Sequence, residues 1–203
     1  MTASEQLRPD VLAEREVYFE QFKDVPLADI VVIDESYATT KFTRLYGRAT
    51  RGLRLVGRVP HGHWKLLTII AAMTIDGVLT AASIDASTDT DVFGLFVRDA
   101  LIPRLRPGQV VVMDNLAAHK VGWIKQAIEK AGCRVVFLPP YSPDYSPIEP
   151  MWSKVKQHLR TLGARTIDAL GQAIESAFKR VTSADCHGFF RHCGYAMETV
   201  KML

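Results

Sequence analysis

The sequence predicts an α/β domain built on a mixed five-stranded sheet with helices on both faces. Three observations carry this. Five short apolar runs are rich in Val and Ile: 30–33, 66–73, 78–84, 109–114 and 134–138. The second and third are joined by Asp76-Gly77, a two-residue hairpin signal that demands antiparallel pairing. The others alternate with segments of helical spacing, which argues for parallel pairing through crossovers.

The elements follow in chain order. Val11, Leu12, Val17, Tyr18 and Phe22 give residues 9 to 23 the pattern of an amphipathic helix. Ile30-Val-Val-Ile33 reads as a buried strand that stops at Asp34-Glu35. Gly47, Gly52, Gly57, Pro60 and Gly62 cut the next stretch into turns and short strands. The Leu66–Met73 strand and its hairpin partner Val78–Ile84 come next. Val92, Phe93, Phe96, Val97, Leu101 and Leu105 place a helix over 90–105, its last turn disturbed by Pro103. Gln109–Asp114 is a strand. Residues 119–131 form a helix closed by Gly132. Arg134–Leu138 is a strand halted by Pro139-Pro140, and two further helices span about 147–162 and 167–181.

Composition sets the class. Of 203 residues, 48% are apolar and 23% charged, with three Cys. These values exclude a disordered chain, a collagen-like repeat and a disulfide scaffold. The longest uncharged apolar run, Leu66–Ile75, is about half of what a membrane span requires. No basic-then-apolar leader opens the chain, and few, scattered cysteines suit a reducing compartment, so a cytoplasmic location is expected.

The net charge of +3 conceals a local field. Ser36 to Ile75 contains no Asp or Glu, yet holds Lys41, Arg44, Arg48, Arg51, Arg54, Arg58 and Lys65, with His61 and His63. Tyr37, Phe42, Tyr46 and Trp64 are interleaved. Cations alternating with aromatics suit a polyanion carrying stackable bases; the alternative is a solvated basic hairpin.

The carboxylates carry the chemistry. Asp34 and Asp114 each sit where an apolar strand stops, and Glu149 opens a helix after a Pro-rich stretch. The carboxyl ends of strands form the functional edge of an α/β sheet. Three carboxylates meeting there repel one another unless a hard cation takes their oxygens. Two Mg²⁺ about 3.5–4 Å apart activate a nucleophile and stabilise the leaving oxygen of a phosphodiester. Each carboxylate also has a structural reading. Strand alternation leaves open whether Asp34 or Glu35 faces the site. Asp114 could cap a turn. Ser146-Pro147-Ile148-Glu149 fits a capping box with Pro at the first helical position.

Val32-Ile-Asp-Glu35, Val111-Val-Met-Asp-Asn-Leu-Ala-Ala-His119 and Pro139-Pro-Tyr-Ser-Pro-Asp-Tyr-Ser-Pro-Ile-Glu149 resemble the catalytic signatures of DDE transposases. The branch most similar is the bacterial insertion-sequence-630 group of the mariner superfamily. The 34 residues between Asp114 and Glu149 match its spacing. Gly47–Gly52 and Pro60–Lys65 also resemble that branch. The resemblance covers roughly residues 28 to 195.

The resemblance implies a ribonuclease-H-like fold over residues 29–203, preceded by a helical extension at 1–28. It implies a site for two Mg²⁺ or Mn²⁺ ions on Asp34, Asp114 and Glu149. It implies cleavage of a DNA strand at element ends, then strand transfer into target DNA at TA sites, by a homodimer on double-stranded DNA at the bacterial nucleoid. Fewer than thirty residues precede the first strand. End recognition is therefore expected from a separate helix-turn-helix subunit or an upstream reading frame. A truncated or domesticated DNA-binding relative, or another ribonuclease-H-like nuclease, is the alternative.

Asn115, His119, Lys154 and Lys156 are further candidate DNA contacts, against readings as helix-start and solvated residues. Cys186-His187 and His192-Cys193 are zinc-capable types at a separation matching no common finger; buried Cys and surface His are expected. Trp152 and Met151 are expected in the core.

Overall fold

The structure is a computed structural model and describes residues 4–85, 90–115 and 122–195. Five strands form one sheet: β1 (Ile30–Thr39), β2 (Leu66–Thr74), β3 (Gly77–Ile84), β4 (Val110–Met113) and β5 (Arg134–Phe137), in the order β3-β2-β1-β4-β5. The first three strands pair antiparallel, while β1, β4 and β5 pair parallel. The mixed sheet expected from the hairpin signal and the helical crossovers is therefore present.

Helices cover both faces. On one lie α2 (Thr90–Phe96) and α3 (Gly122–Lys130). On the other lie α1 (Pro9–Tyr18), α4 (Ile148–Leu162), α5 (Ile167–Phe178) and α6 (Ser183–His192). Strand alternation divides the core in two. Ile30, Val32, Val110 and Val112 pack with α4, α5 and α6; Val31, Ile33, Val111 and Met113 pack with α2 and α3. Asp34 shares the parity of Val32, and Asp114 that of Val112. Both carboxylates are thus directed to the α4 side, where Glu149 resides.

Several expectations need correction. β1 does not stop at Asp34; it runs to Thr39, because β2 pairs with it from Val32 onward. β4 pairs with β1 only at Ile30, Val31 and Val32, so β1 outruns this parallel neighbour and leaves Asp34 without a partner on the β4 side of the ladder. The hairpin turn consists of Ile75 and Asp76, with Gly77 already paired to Thr74 and held at φ 145°. No short strands form between Lys41 and Lys65, since nothing there alternates apolar and polar residues against a partner. The helix over 90–105 breaks into α2, a π turn (Val97–Leu101) and a 3₁₀ turn (Ile102–Arg104) holding Pro103.

Two cap assignments also differ. Ser146 makes no side-chain cap on α4, whose N-cap is Pro147. α6 is an additional helix; its Thr182 and Asp185 form a reciprocal capping box. Cys186 and Cys193 are buried free thiols, while His192 is exposed. Among the described residues, no helix is long and apolar enough to cross a membrane.

Candidate active site

The site is a cleft of about 460 Å³ lined by Asp34, Asp114, Asn115 and Glu149, closed on one flank by the 138–146 loop. Three elements deliver its carboxylates. β1 supplies Asp34 from mid-strand. Asp114 follows the last residue of β4. Glu149 stands in the first turn of α4, and its backbone N–H donates to the Ser146 carbonyl at 3.1 Å. Asp34 rather than Glu35 lines the cleft.

Asp34 and Asp114 are half-buried and Glu149 is exposed at the cleft, so the carboxylates feel one another where water is only partly excluded. Burial pushes the Asp34 carboxyl up to about 7, and the charges of Glu149 and Asp114 push the same way. A backbone bond at Glu35 and the indole of Trp152 act in the opposite sense, stabilising the charged form. Glu149 is also raised, mainly by burial, against the pull of Lys156. Lys156 in turn is lowered, because its own burial outweighs the attraction of Glu149. Its ammonium lies 4.8 Å from the centroid of the Tyr37 ring.

The donor set fits a hard divalent cation. All the side-chain donors are oxygens. Asn115 adds a buried Oδ1 that has no hydrogen-bond partner among the described residues. As placed, no three His, Cys, Asp or Glu side chains among the described residues form a closed metal-holding group. The carboxylates share one cleft and one another's field rather than a finished cage.

The chain belongs to the DDE superfamily endonuclease family. The family model matches residues 29–171, which include all three carboxylates. No curated protein sequence matches significantly. Among solved structures, the chain is similar to a Mos1 transposase paired-end complex with left transposon end, at TM-score 0.72 and 15% identity, covering 95% of this chain and 61% of that one. A pre-cleavage Mos1 transpososome gives TM-score 0.68 at 13% identity, with 95% and 60% covered. The Mos1 catalytic domain with raltegravir and Mn gives TM-score 0.67 at 14% identity, with 92% of each chain covered. The likeness at these identities is one of fold, and it bears out the ribonuclease-H-like expectation. The chain spans about three-fifths of the full Mos1 chains it matches.

The remaining candidates of this DDE-family chain fall into three groups. Asn115 joins the carboxylates in the cleft; His119 lies outside the described residues. Lys41, Arg44, Arg48, Arg51, Arg54, Arg58, His61, His63 and Lys65 are all exposed on the irregular 40–65 arm. Arg165 anchors the arm's base by donating to the carbonyls of Thr40 and Phe42 at 2.9 and 2.8 Å. Lys154 pairs with Asp185 of α6, whereas Lys156 feels Glu149.

Two residues escaped sequence reading. Trp152 is buried in the core as expected, yet its indole also donates to Asp34 at 3.0 Å. Arg15 of α1 grips the loop that leads to Glu149 through Asp144 and Ser142. Helical spacing places Trp152 three residues after Glu149 on the inward face, which is a signal for the first. Nothing in the sequence signals the second, since its partners lie more than 120 residues away.

Proposed function

We propose that this chain is the catalytic part of a DDE transposase of the insertion-sequence-630 branch, acting on double-stranded DNA. The observation that carries the reading is the convergence of Asp34, Asp114 and Glu149 on one cleft, within a chain of the DDE endonuclease family. Asp34, Asp114 and Glu149, with the Asn115 carbonyl beside them, would hold two Mg²⁺ or Mn²⁺ ions. When bound, such ions supply Lewis acidity that activates a hydroxyl nucleophile and stabilises the departing oxygen.

The reaction has two steps of the same kind. Water attacks a phosphodiester at the element end; one P–O bond forms, another breaks, and a 3′-hydroxyl is released. That hydroxyl then attacks a target phosphodiester at a TA step, exchanging one P–O bond for another. No covalent protein intermediate is needed. The residues of the chain orient these steps. The cations at 41–65 bind backbone phosphates, and Lys156 places positive charge beside Glu149. Two chains acting as a homodimer on DNA would pair the two element ends. A helix-turn-helix module, on a separate subunit or encoded upstream, would recognise them. The solved Mos1 complexes with transposon ends, and those holding Mn or Mg, support DNA and divalent metal as ligands.

The test is processing of labelled DNA carrying the repeat ends that flank the coding region, offered with a TA-containing plasmid. Cutting and joining that require Mg²⁺ or Mn²⁺, and that vanish with EDTA and in Asp114→Ala, are expected. Cutting without joining would favour a plain ribonuclease-H-like nuclease. Metal-independent DNA binding without cutting, with the helix-turn-helix module added in trans, would favour a DNA-binding relative.

A further inference from the structure

The indole of Trp152 is 2% exposed, and its Nε1–H donates to Oδ2 of Asp34 at 3.0 Å. Trp152 follows Glu149 by three residues on α4, so one helical face carries both. The bond therefore joins the strand bearing the first carboxylate to the helical turn bearing the third. An indole N–H is a donor only, so it directs a carboxylate oxygen without competing for a cation. The ring is itself held, tilted against Phe178 at 6.0 Å and packed in the core of α4, α5 and α6. The rigid indole donor fixes Oδ2 and, with the backbone bond at Glu35, restricts rotation of the Asp34 carboxylate where it lines the cleft.

We propose that Trp152 is a positioning residue of the divalent-metal site, orienting Asp34 and fixing its place relative to Glu149 through one hydrogen bond. This rests on the reading of Asp34 as a metal ligand. Outer partners of metal-binding side chains typically change metal affinity by about 10–100-fold when removed. A tryptophan that merely fills the core would contribute shape, and its N–H would be immaterial to metal.

The experiment is calorimetric titration of Mn²⁺ into the DNA-free protein, with thermal melting as a check on folding. Trp152→Phe removes the donor and keeps an aromatic ring. Trp152→3-benzothienylalanine replaces the ring N–H by sulfur at nearly constant shape, and serves if the Phe variant does not fold. Phe178→Leu loosens the same packing without touching the donor, and Asp34→Asn removes the ligand. The expected result is Mn²⁺ binding weakened about 10–100-fold in both Trp152 variants, unchanged in Phe178→Leu, and lost from the site in Asp34→Asn. Wild-type affinity in the Trp152 variants, with binding lost in Asp34→Asn, would overturn the positioning role while leaving the metal site standing. Equal weakening in Phe178→Leu would assign the effect to packing and overturn it also. Undiminished binding in Asp34→Asn would overturn the metal reading itself.

Discussion

The guanidinium of Arg15 lies 4.0 Å from the centroid of the Tyr145 ring and meets Asp144 at 2.6 Å. The same side chain donates to Ser142 Oγ at 2.7 Å, and it holds the Asp144 carboxyl below the usual carboxylate range. Gln6 adds a bond to the Tyr141 carbonyl at 2.6 Å, at the one described non-glycine residue with positive φ. The segment preceding β1 thus clasps the loop that closes one flank of the cleft and leads into Glu149.

Removing that clasp should loosen the cleft. Arg15→Met is expected to lower stability by about 1–2 kcal/mol, given the partial exposure of Asp144. At about 2–4 °C per kcal/mol for a chain of this size, the melting temperature falls by several degrees. DNA cleavage should fall further than stability does. Arg15→Lys keeps the charge without the planar fork and should be intermediate. Melting curves and single-turnover cleavage check this.

The pH dependence of stability should carry the signature of Asp34. Its carboxyl stands near 7 in the folded protein, above the ordinary value of 3.8. The native state therefore holds the proton more tightly than the unfolded chain. The group's contribution to stability is greatest below about pH 4 and is lost as pH rises through about 7. Asp34→Asn should thus leave stability unchanged near pH 4 and raise it near pH 8, by up to about 4 kcal/mol. Glu149, raised in the same direction, adds to the trend. Mn²⁺ should stabilise the wild type near pH 8 but not near pH 4, because ligating carboxylates must be ionised. Denaturant melts at the two pH values, with and without Mn²⁺, measure both effects.

The 40–65 arm should govern the salt dependence of DNA binding. Arg48, Arg51 and Arg54 are exposed. Their joint replacement by Gln is expected to flatten the slope of log affinity against log salt by about 0.9 per lost phosphate contact. Binding should weaken evenly across DNA sequences. An unchanged slope would place the phosphate contacts elsewhere.

The two lysines of α4 should separate. Lys154 is paired with Asp185, which also closes the capping box of α6. Lys154→Gln should cost stability and little DNA affinity. Lys156 lies over the Tyr37 ring within the field of Glu149 and Asp34, and Lys156→Gln should weaken DNA binding with little effect on folding. Asp185→Ala, which removes both the cap and the pair, should destabilise by about 1–2 kcal/mol.

Much of this arrangement was legible because periodicity and spacing are local. The Val- and Ile-rich runs located all five strands, and strand parity then directs Asp34 and Asp114 to the same face. What was not legible depends on partners distant in sequence. β1 continues to Thr39 because β2 supplies its ladder, which nothing in Asp34-Glu35-Ser36 announces. Ser146 and Glu149 have the spacing of a capping box, but Ser146 is buried and makes no side-chain cap. Thr182 and Asp185 spell the start of α6, but its short Cys- and His-bearing stretch lacks the long apolar spacing that marks α4 and α5. The bonds of Trp152 and Arg15 span 118 and 127 or more residues, beyond any local pattern.

The central claim is that Asp34, Asp114 and Glu149 hold divalent metal in one cleft. Anomalous diffraction from crystals grown with Mn²⁺ tests it most directly. The account predicts Mn²⁺ peaks bounded by these three carboxylates, absent in crystals of Asp114→Ala. Peaks elsewhere on the molecule, with none between the three side chains at saturating Mn²⁺, would contradict it.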